Sequence, residues 1–193
     1  MYEIELKAHV RDKEALEEKL KKNAIYRGFR EKKDTYWKLT KNGGFISCRI
    51  REENSETKEG KDSEIFFTYK RKEIRATENG ATIELNDEKE CSISGKEALE
   101  VFLQDTGFKI ELYKTKKVSQ WEYGEALLEL CLVEPLGYFL EIEILSPVND
   151  PETVENKKKQ LLEILKTCGI PETEIENKYY RELILEQNIS REK

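Results

Sequence analysis

At 193 residues, 37% of them hydrophobic and 38% charged, the chain is long enough for one domain with a sizeable core and short for two. Seven Phe, nine Tyr and two Trp exclude a disordered polar polymer. A formal net charge of −6 excludes attraction of the whole molecule to nucleic acid or an anionic membrane surface, and leaves open only a local basic cluster that binds phosphate.

The pattern begins at once. Residues 2–10 alternate, with Tyr2, Ile4, Leu6, Ala8 and Val10 on one face and Glu3, Glu5, Lys7 and His9 on the other, which predicts a strand. Asp12 caps a helical stretch with Leu16 and Leu20 one turn apart, ending near Asn23. Strand-like runs follow at about 24–38, 44–53, 63–74, 81–93, 107–122, 124–133 and 136–146, making eight strands, with a short helix near 96–105. Turn signals at Asn42-Gly43-Gly44, Asn79-Gly80, Tyr123-Gly124 and Pro135-Leu136-Gly137 fit antiparallel neighbours, and the polar insert from Asn54 to Asp62 reads as a mobile loop. A helix is expected from Asp150-Pro151 to Cys168-Gly169, and a last one from about Pro171 to Asn188.

Cys48, Cys91, Cys131 and Cys168 form no CxxC pair, and His9 is the single histidine, which argues against zinc and disulfide frameworks. The cysteines read as buried small apolar groups, and Trp37 and Trp121 as core. The strand pattern starting at Tyr2 leaves no room for a signal peptide and no apolar run reaches membrane-spanning length, so a cytoplasmic protein is expected.

Charge at period two recurs along the chain. Glu141 and Glu143 repeat the pairing of Glu3 and Glu5; Glu84, Glu88 and Glu90 share one parity; Arg49 and Arg51, Lys70 and Lys72, and Lys114 and Lys116 do likewise. The amphipathic helices need an apolar surface to cover, and the apolar face of the sheet is the natural one. If the sheet closes, its charged face lines the interior, a polar tunnel in which acids and bases need water, metal or an anionic ligand. Carboxylates there suit Mg²⁺ or Mn²⁺, and the basic residues suit phosphate, the pattern of a triphosphate site without a Walker A loop.

Glu3-Ile4-Glu5-Leu6-Lys7 resembles the signature first strand of the triphosphate tunnel metalloenzymes, the superfamily of class IV adenylyl cyclases and thiamine triphosphatases, also known by the CYTH domain. Asp34-Thr35-Tyr36-Trp37, Cys48-Arg49-Ile50-Arg51, Thr68-Tyr69-Lys70, the acidic run ending at Glu90, Leu136 through Glu143, and Tyr179-Tyr180-Arg181-Glu182-Leu183 follow in that family's order. The resemblance implies one α+β domain over 1–193, a closed eight-stranded antiparallel β-barrel with helices outside. It further implies conversion of ATP to 3′,5′-cyclic AMP and pyrophosphate, with two alternatives. One is hydrolysis of inorganic or thiamine triphosphate; the other is a non-catalytic nucleotide- or polyphosphate-binding module.

By the same resemblance Glu3, Glu5, Glu141 and Glu143 hold Mg²⁺ or Mn²⁺, and Glu3, Glu5, Lys7, Lys70 and Glu141 carry catalysis. Lys7, Arg49, Arg51, Lys70, Lys72, Lys114 and Lys116 bind the substrate phosphates, with Glu88 and Glu90 either contributing or serving as ion-pair partners. The chain departs from the family at Lys70-Arg71-Lys72, at Asn86 and at Cys131, where an Asp is frequent; Glu129 is the expected replacement for that acid. Parity does not separate Lys114, Lys116 and Lys117, and His9 is read as a rim residue. No nucleic-acid or membrane partner is expected, and a homodimer is the assembly the family suggests.

Overall fold

The computed structural model describes residues 2–41, 44–76, 82–148 and 150–191, and the side chains within 2–41, 44–69, 89–148 and 150–189. The turns expected at Asn42-Gly43 and Asn79-Gly80 lie outside the described residues.

In chain order the elements are β1 (Tyr2–His9), α1 (Lys13–Asn23), β2 (Ile25–Lys41), β3 (Gly44–Thr57), β4 (Gly60–Ala76), β5 (Thr82–Ile93), α2 (Glu97–Asp105), β6 (Lys109–Tyr123), β7 (Ala126–Glu134), β8 (Gly137–Ser146), α3 (Pro151–Thr167) and α4 (Tyr180–Arg191). The eight strands form one sheet in the order β1-β8-β7-β6-β2-β3-β4-β5. Pairs β1/β8, β7/β8 and β4/β5 run antiparallel, so the α+β architecture with eight antiparallel strands stands as expected. β1 and β5 occupy the two ends of the strand order, and among the described residues no ladder joins them.

The described chain divides into two compact units, one of residues 1–31, 55–61 and 116–193, the other of 32–54 and 62–115. In the first unit the register sorts the strands by face, because residues directly opposed across a ladder point the same way. Ile4, Ile144 and Ala126 form one row, Leu6, Ile142 and Leu128 the next, and Ala8, Leu140 and Leu130 a third. Against these rows pack Leu16 and Leu20 of α1 and Leu161 and Leu165 of α3. Both helices start on side-chain caps: Asp12 accepts from the Ala15 amide at 2.9 Å, and Asp150 from the Thr153 amide at 2.9 Å with Pro151 following. Gly169, at φ +77°, supplies the left-handed residue that ends α3. In the second unit Trp37, Cys48 and Ile50 enclose Leu103 of α2, with Ile65 and Phe67 around them. Both tryptophans are core, Trp37 in this cluster and Trp121 in the first unit's. No described helix is long and apolar enough to cross a membrane.

Three expectations need correction. The insert 54–62 is not a loop: β3 continues to Thr57 and β4 begins at Gly60, and the turn shrinks to Lys58-Glu59, where the Glu59 amide donates to Thr57 Oγ1 at 3.2 Å. Polar residues on both faces left no alternation to read there. The helix expected from Pro171 begins only at Tyr180, preceded by a 3₁₀ turn at Glu172–Glu174. Between them Ile175 bridges Ala8 and the Glu176 amide donates to the Lys7 carbonyl at 2.7 Å, so this segment satisfies backbone groups of β1 instead of its own helix. Cys91 is exposed, unlike Cys48, Cys131 and Cys168, in a stretch of β5, last in the strand order, where its neighbours on both sides are exposed too.

Leu165→Ala should cost about 2–5 kcal/mol, because the site is closed on all sides and leaves a cavity. Val101→Ala on the open face of α2 should change stability by no more than about 0.5 kcal/mol. Urea midpoints of the two variants give the comparison.

Candidate functional site

The charged residues of β1 fall on the side opposite α1 and α3, again in rows. Glu5 opposes Glu143, with Leu127 beyond; Lys7 opposes Glu141, with Glu129 beyond; His9 opposes Phe139, with Cys131 beyond. Glu3, one step further along β1, stands opposite Leu145 and is exposed. Partial desolvation of its carboxylate and the repulsion of Glu141 and Glu143 push Glu5 up to about 7, against the opposing pull of Lys116 and Lys7. Glu5 keeps solvent exposure, which tempers that shift. Burial lowers the pKa of Lys7, with Glu141 and Glu5 acting in the other direction.

The row below is already bonded. Lys116 Nζ donates to Glu129 Oε2 at 3.0 Å and to Glu141 Oε2. The other oxygen of Glu129 accepts from Gln120 Nε2 at 2.7 Å, and Gln120 Oε1 accepts from Arg30 Nε at 2.9 Å. Burial works against the Lys116 charge, but the Glu141 and Glu129 carboxylates outweigh it, so its pKa lies above the ordinary lysine range. Wholly buried, Cys131 is pushed well above the usual thiol value and stays a neutral SH.

The C-terminal segment closes one end of this face. Tyr180 stacks edge-on against Phe139 at 4.9 Å between centroids, and its ring lies 4.4 Å from Lys7 Nζ. Val118, Cys131, Val133 and Phe139 form a small apolar cluster beneath Tyr180 and Leu183. Lys7 Nζ also donates to the Lys178 carbonyl, and the His9 ring nitrogen Nε2 lies 3.3 Å from Glu176 Oε2. Burial, then the Glu141 charge, hold the Tyr180 phenol well above its usual pKa.

A basic cluster forms separately in the second unit around Asp34, whose side chain has no exposed surface. Arg51 grips it with Nε at 2.7 Å from Oδ1 and Nη2 at 3.1 Å from Oδ2, and Lys114 Nζ lies 2.7 Å from Oδ2. Burial alone would raise the Asp34 carboxyl; the Arg51 hydrogen bonds and the charges of Lys114, Arg51 and Arg49 hold it well below the usual carboxylate range. Nearby, Arg49 Nη2 donates to Thr68 Oγ1 at 3.1 Å and Glu90 Oε2 at 3.2 Å, and Thr68 Oγ1 donates to Glu90 at 2.6 Å.

The expected residues thus fall in two groups. Glu5, Lys7, Lys116, Glu129, Glu141 and Glu143 share the charged face of the first unit, with Glu3 at its end. Arg49, Arg51, Lys114 and Glu90 belong to the cluster in the second, where Glu90 is the ion-pair partner of Arg49. Lys70, Lys72 and Glu88 lie outside the residues whose side chains are described. Burial decides the β6 parity: Lys114, Lys116, Val118 and Gln120 form the buried face, and Lys117 belongs to the other. Two further residues belong to these networks: Gln120, whose parity with both lysines is readable in the sequence, and Asp34, whose place in the Asp34-Thr35-Tyr36-Trp37 motif carries no sign of its ion pairs. Glu5 and Glu143 are directly opposed, with Glu141 two residues along β8 on the same face, and the repulsion these carboxylates exert on Glu5 is of the kind a hard divalent cation such as Mg²⁺ or Mn²⁺ would relieve; among the described residues the ligand-type atoms that gather within 4.8 Å are those of Glu129, Cys131 and Glu141.

Against known proteins, the model of the CYTH domain matches residues 1–180. A Methanocaldococcus jannaschii protein provisionally named as an adenylate cyclase, MJ0240, is 29% identical over 95% of this chain and 98% of its own length. The PH1819 protein from Pyrococcus horikoshii OT3 superposes with a TM-score of 0.69 at 25% identity, covering 96% of this chain and 99% of that one. HpAC1 from Hippeastrum, a proposed adenylyl cyclase described as having a dominant triphosphatase activity, shares the fold at a TM-score of 0.51 and 17% identity over 88% of each chain. With the family's model matching residues 1–180 of 193, the chain belongs to the CYTH domain family.

Two outcomes follow from the electrostatics. Asp34→Ala strands buried Lys114 and half-buried Arg51 and should cost about 3–5 kcal/mol in urea unfolding, whereas Asp12→Ala, which removes only a helix cap, should cost about 0.5–2 kcal/mol. The folded state favours the protonated form of Glu5, so its contribution is complete below its ordinary value of 4.5 and is lost as pH rises through about 7. Across that window the melting temperature of the metal-free chain should fall more than that of Glu5→Gln.

Proposed function

We propose that this chain is a metal-dependent enzyme acting on the phosphate chain of a nucleoside triphosphate, an adenylyl cyclase that forms 3′,5′-cyclic AMP and pyrophosphate from ATP. The observation that supports this most is the opposed pair Glu5 and Glu143 with Glu141, Lys7 and Lys116 on the same face. Membership in the CYTH domain family and the name of the Methanocaldococcus relative point the same way.

In this reading Glu5, Glu141 and Glu143, with Glu3 outside them, hold Mg²⁺ or Mn²⁺. Bound there, the cation supplies Lewis-acid neutralisation of phosphate oxygens. Lys7 and Lys116 offset further negative charge on the phosphate chain. Arg49, Arg51 and Lys114 have the donors to grip anionic oxygens, Arg51 being prepositioned by its two hydrogen bonds to Asp34. Cyclisation requires the ribose 3′-hydroxyl to attack the α-phosphorus in line as pyrophosphate leaves.

A second reading, hydrolysis of a triphosphate by water, is favoured by one observation. Trp37 and Trp121 are committed to hydrophobic clusters, which removes both of the chain's tryptophans as stacking partners for a purine. That reading needs the same charged groups and no base-binding surface.

Chromatography of products from ATP, thiamine triphosphate and inorganic triphosphate, with Mg²⁺ and with Mn²⁺, decides between them. Cyclic AMP with pyrophosphate, reduced at least about a hundredfold in Glu5→Gln/Glu143→Gln, is the expected result. Release of orthophosphate without cyclic AMP establishes the hydrolase, and intact substrates under every condition overturn both.

A further inference from the structure

We infer that the Lys116 ammonium takes the place of a second divalent cation on the charged face, so that the chain holds one cation and Glu129 anchors Lys116 instead of ligating metal. The inference rests on the metal-dependent reading above and sets the composition of its centre.

Glu129, Cys131 and Glu141 bring one ligand-type atom each to within 4.8 Å of one another, a spacing suited to an ion. That space has an occupant of its own. Lys116 Nζ bonds to both carboxylates, and its side chain is 8% exposed, beside 12% for Glu129 and 14% for Glu141. A divalent ion among the three atoms would meet a desolvated ammonium at hydrogen-bond distance, with little water to screen the repulsion.

The neighbours hold this arrangement in place. Gln120 donates to the second oxygen of Glu129, and its own carbonyl oxygen accepts from Arg30, so the amide is fixed with its NH₂ toward the acid. Both oxygens of Glu129 are therefore bound to N–H donors, and a metal ligated there would have to displace one. The remaining group of the trio, Cys131, is a buried thiol, a poor ligand for a hard cation, and Tyr180 lies over the ammonium with its ring centroid 5.8 Å away. The adjacent row differs. Glu5 opposes Glu143 across β1 and β8, with Leu127 of β7 as the third member of that row.

Calorimetric titration of Mn²⁺ into the metal-free full chain, read alongside the electron paramagnetic resonance of the bound ion, counts the cations. The wild type should bind one. Glu143→Gln should weaken binding by about tenfold or more, whereas Glu129→Gln should change it by less than about threefold. Lys116→Gln, with folding checked by circular dichroism, should bind two and show the signal of a coupled Mn²⁺ pair. Two ions in the wild type, or a loss in Glu129→Gln equal to that in Glu143→Gln, overturns the inference. If Lys116→Gln does not fold, the wild-type count and the comparison of the two glutamates still decide. Turnover is scored separately. A chain that binds one Mn²⁺ and leaves every triphosphate intact sustains the inference and overturns the proposed reaction; turnover with two bound ions does the reverse. No bound ion overturns both.

Discussion

The register of β1 on β8 and of β8 on β7 is the constraint on which the first unit depends. It sorts Ile4, Leu6 and Ala8 with Ile144, Ile142 and Leu140 toward α1 and α3, and turns Glu5 and Lys7 with Glu143 and Glu141 to the opposite side. A slip of one residue would drive the glutamates into the helix layer and expose the aliphatic rows. Burial of those rows, worth roughly 25 cal/mol per Å² of apolar surface, therefore also fixes which carboxylates face one another. The core and the chemistry are two faces of one pairing.

Desolvated charge has to be balanced locally, and each of the two units does this with a network of its own. Lys116 is set between Glu129 and Glu141, and Asp34 between Arg51 and Lys114. Neither network is a cheap source of stability, because partial removal from water offsets much of the attraction. Their value lies in holding side chains at defined positions: the Arg51 fork is oriented by two hydrogen bonds, and the Gln120 amide is aligned from both ends. The segment 174–178 adds a third device, bonding backbone to β1 at the end of the sheet and leading Tyr180 onto Phe139.

Much of this was legible in the chain. Strict alternation over residues 2–10 and 137–146 identified β1 and β8 and the parity of their acids, since a strand half covered by helices must alternate. The same rule failed at 54–57, where the strand is polar on both sides, and at 171–179, where the residues trade helical hydrogen bonds for contacts with β1. Glu129 illustrates the limit most clearly. Its place near a missing Asp was readable in the chain, whereas the bonds its two oxygens accept from Lys116 and Gln120 of β6 were not.

The sequence by itself determined the eight strands, the side of β1 and β8 on which charge lies, the caps that start α1 and α3, and the family to which the acidic and basic motifs belong. Tertiary structure alone decided which charges meet. Glu5 with Glu143, Lys116 with Glu129 and Glu141, and Asp34 with Arg51 and Lys114 are pairs far apart in the chain, chosen by strand order and register. Periodicity specifies the face of a residue from its immediate neighbours, whereas partners across a sheet depend on the packing of every strand between them.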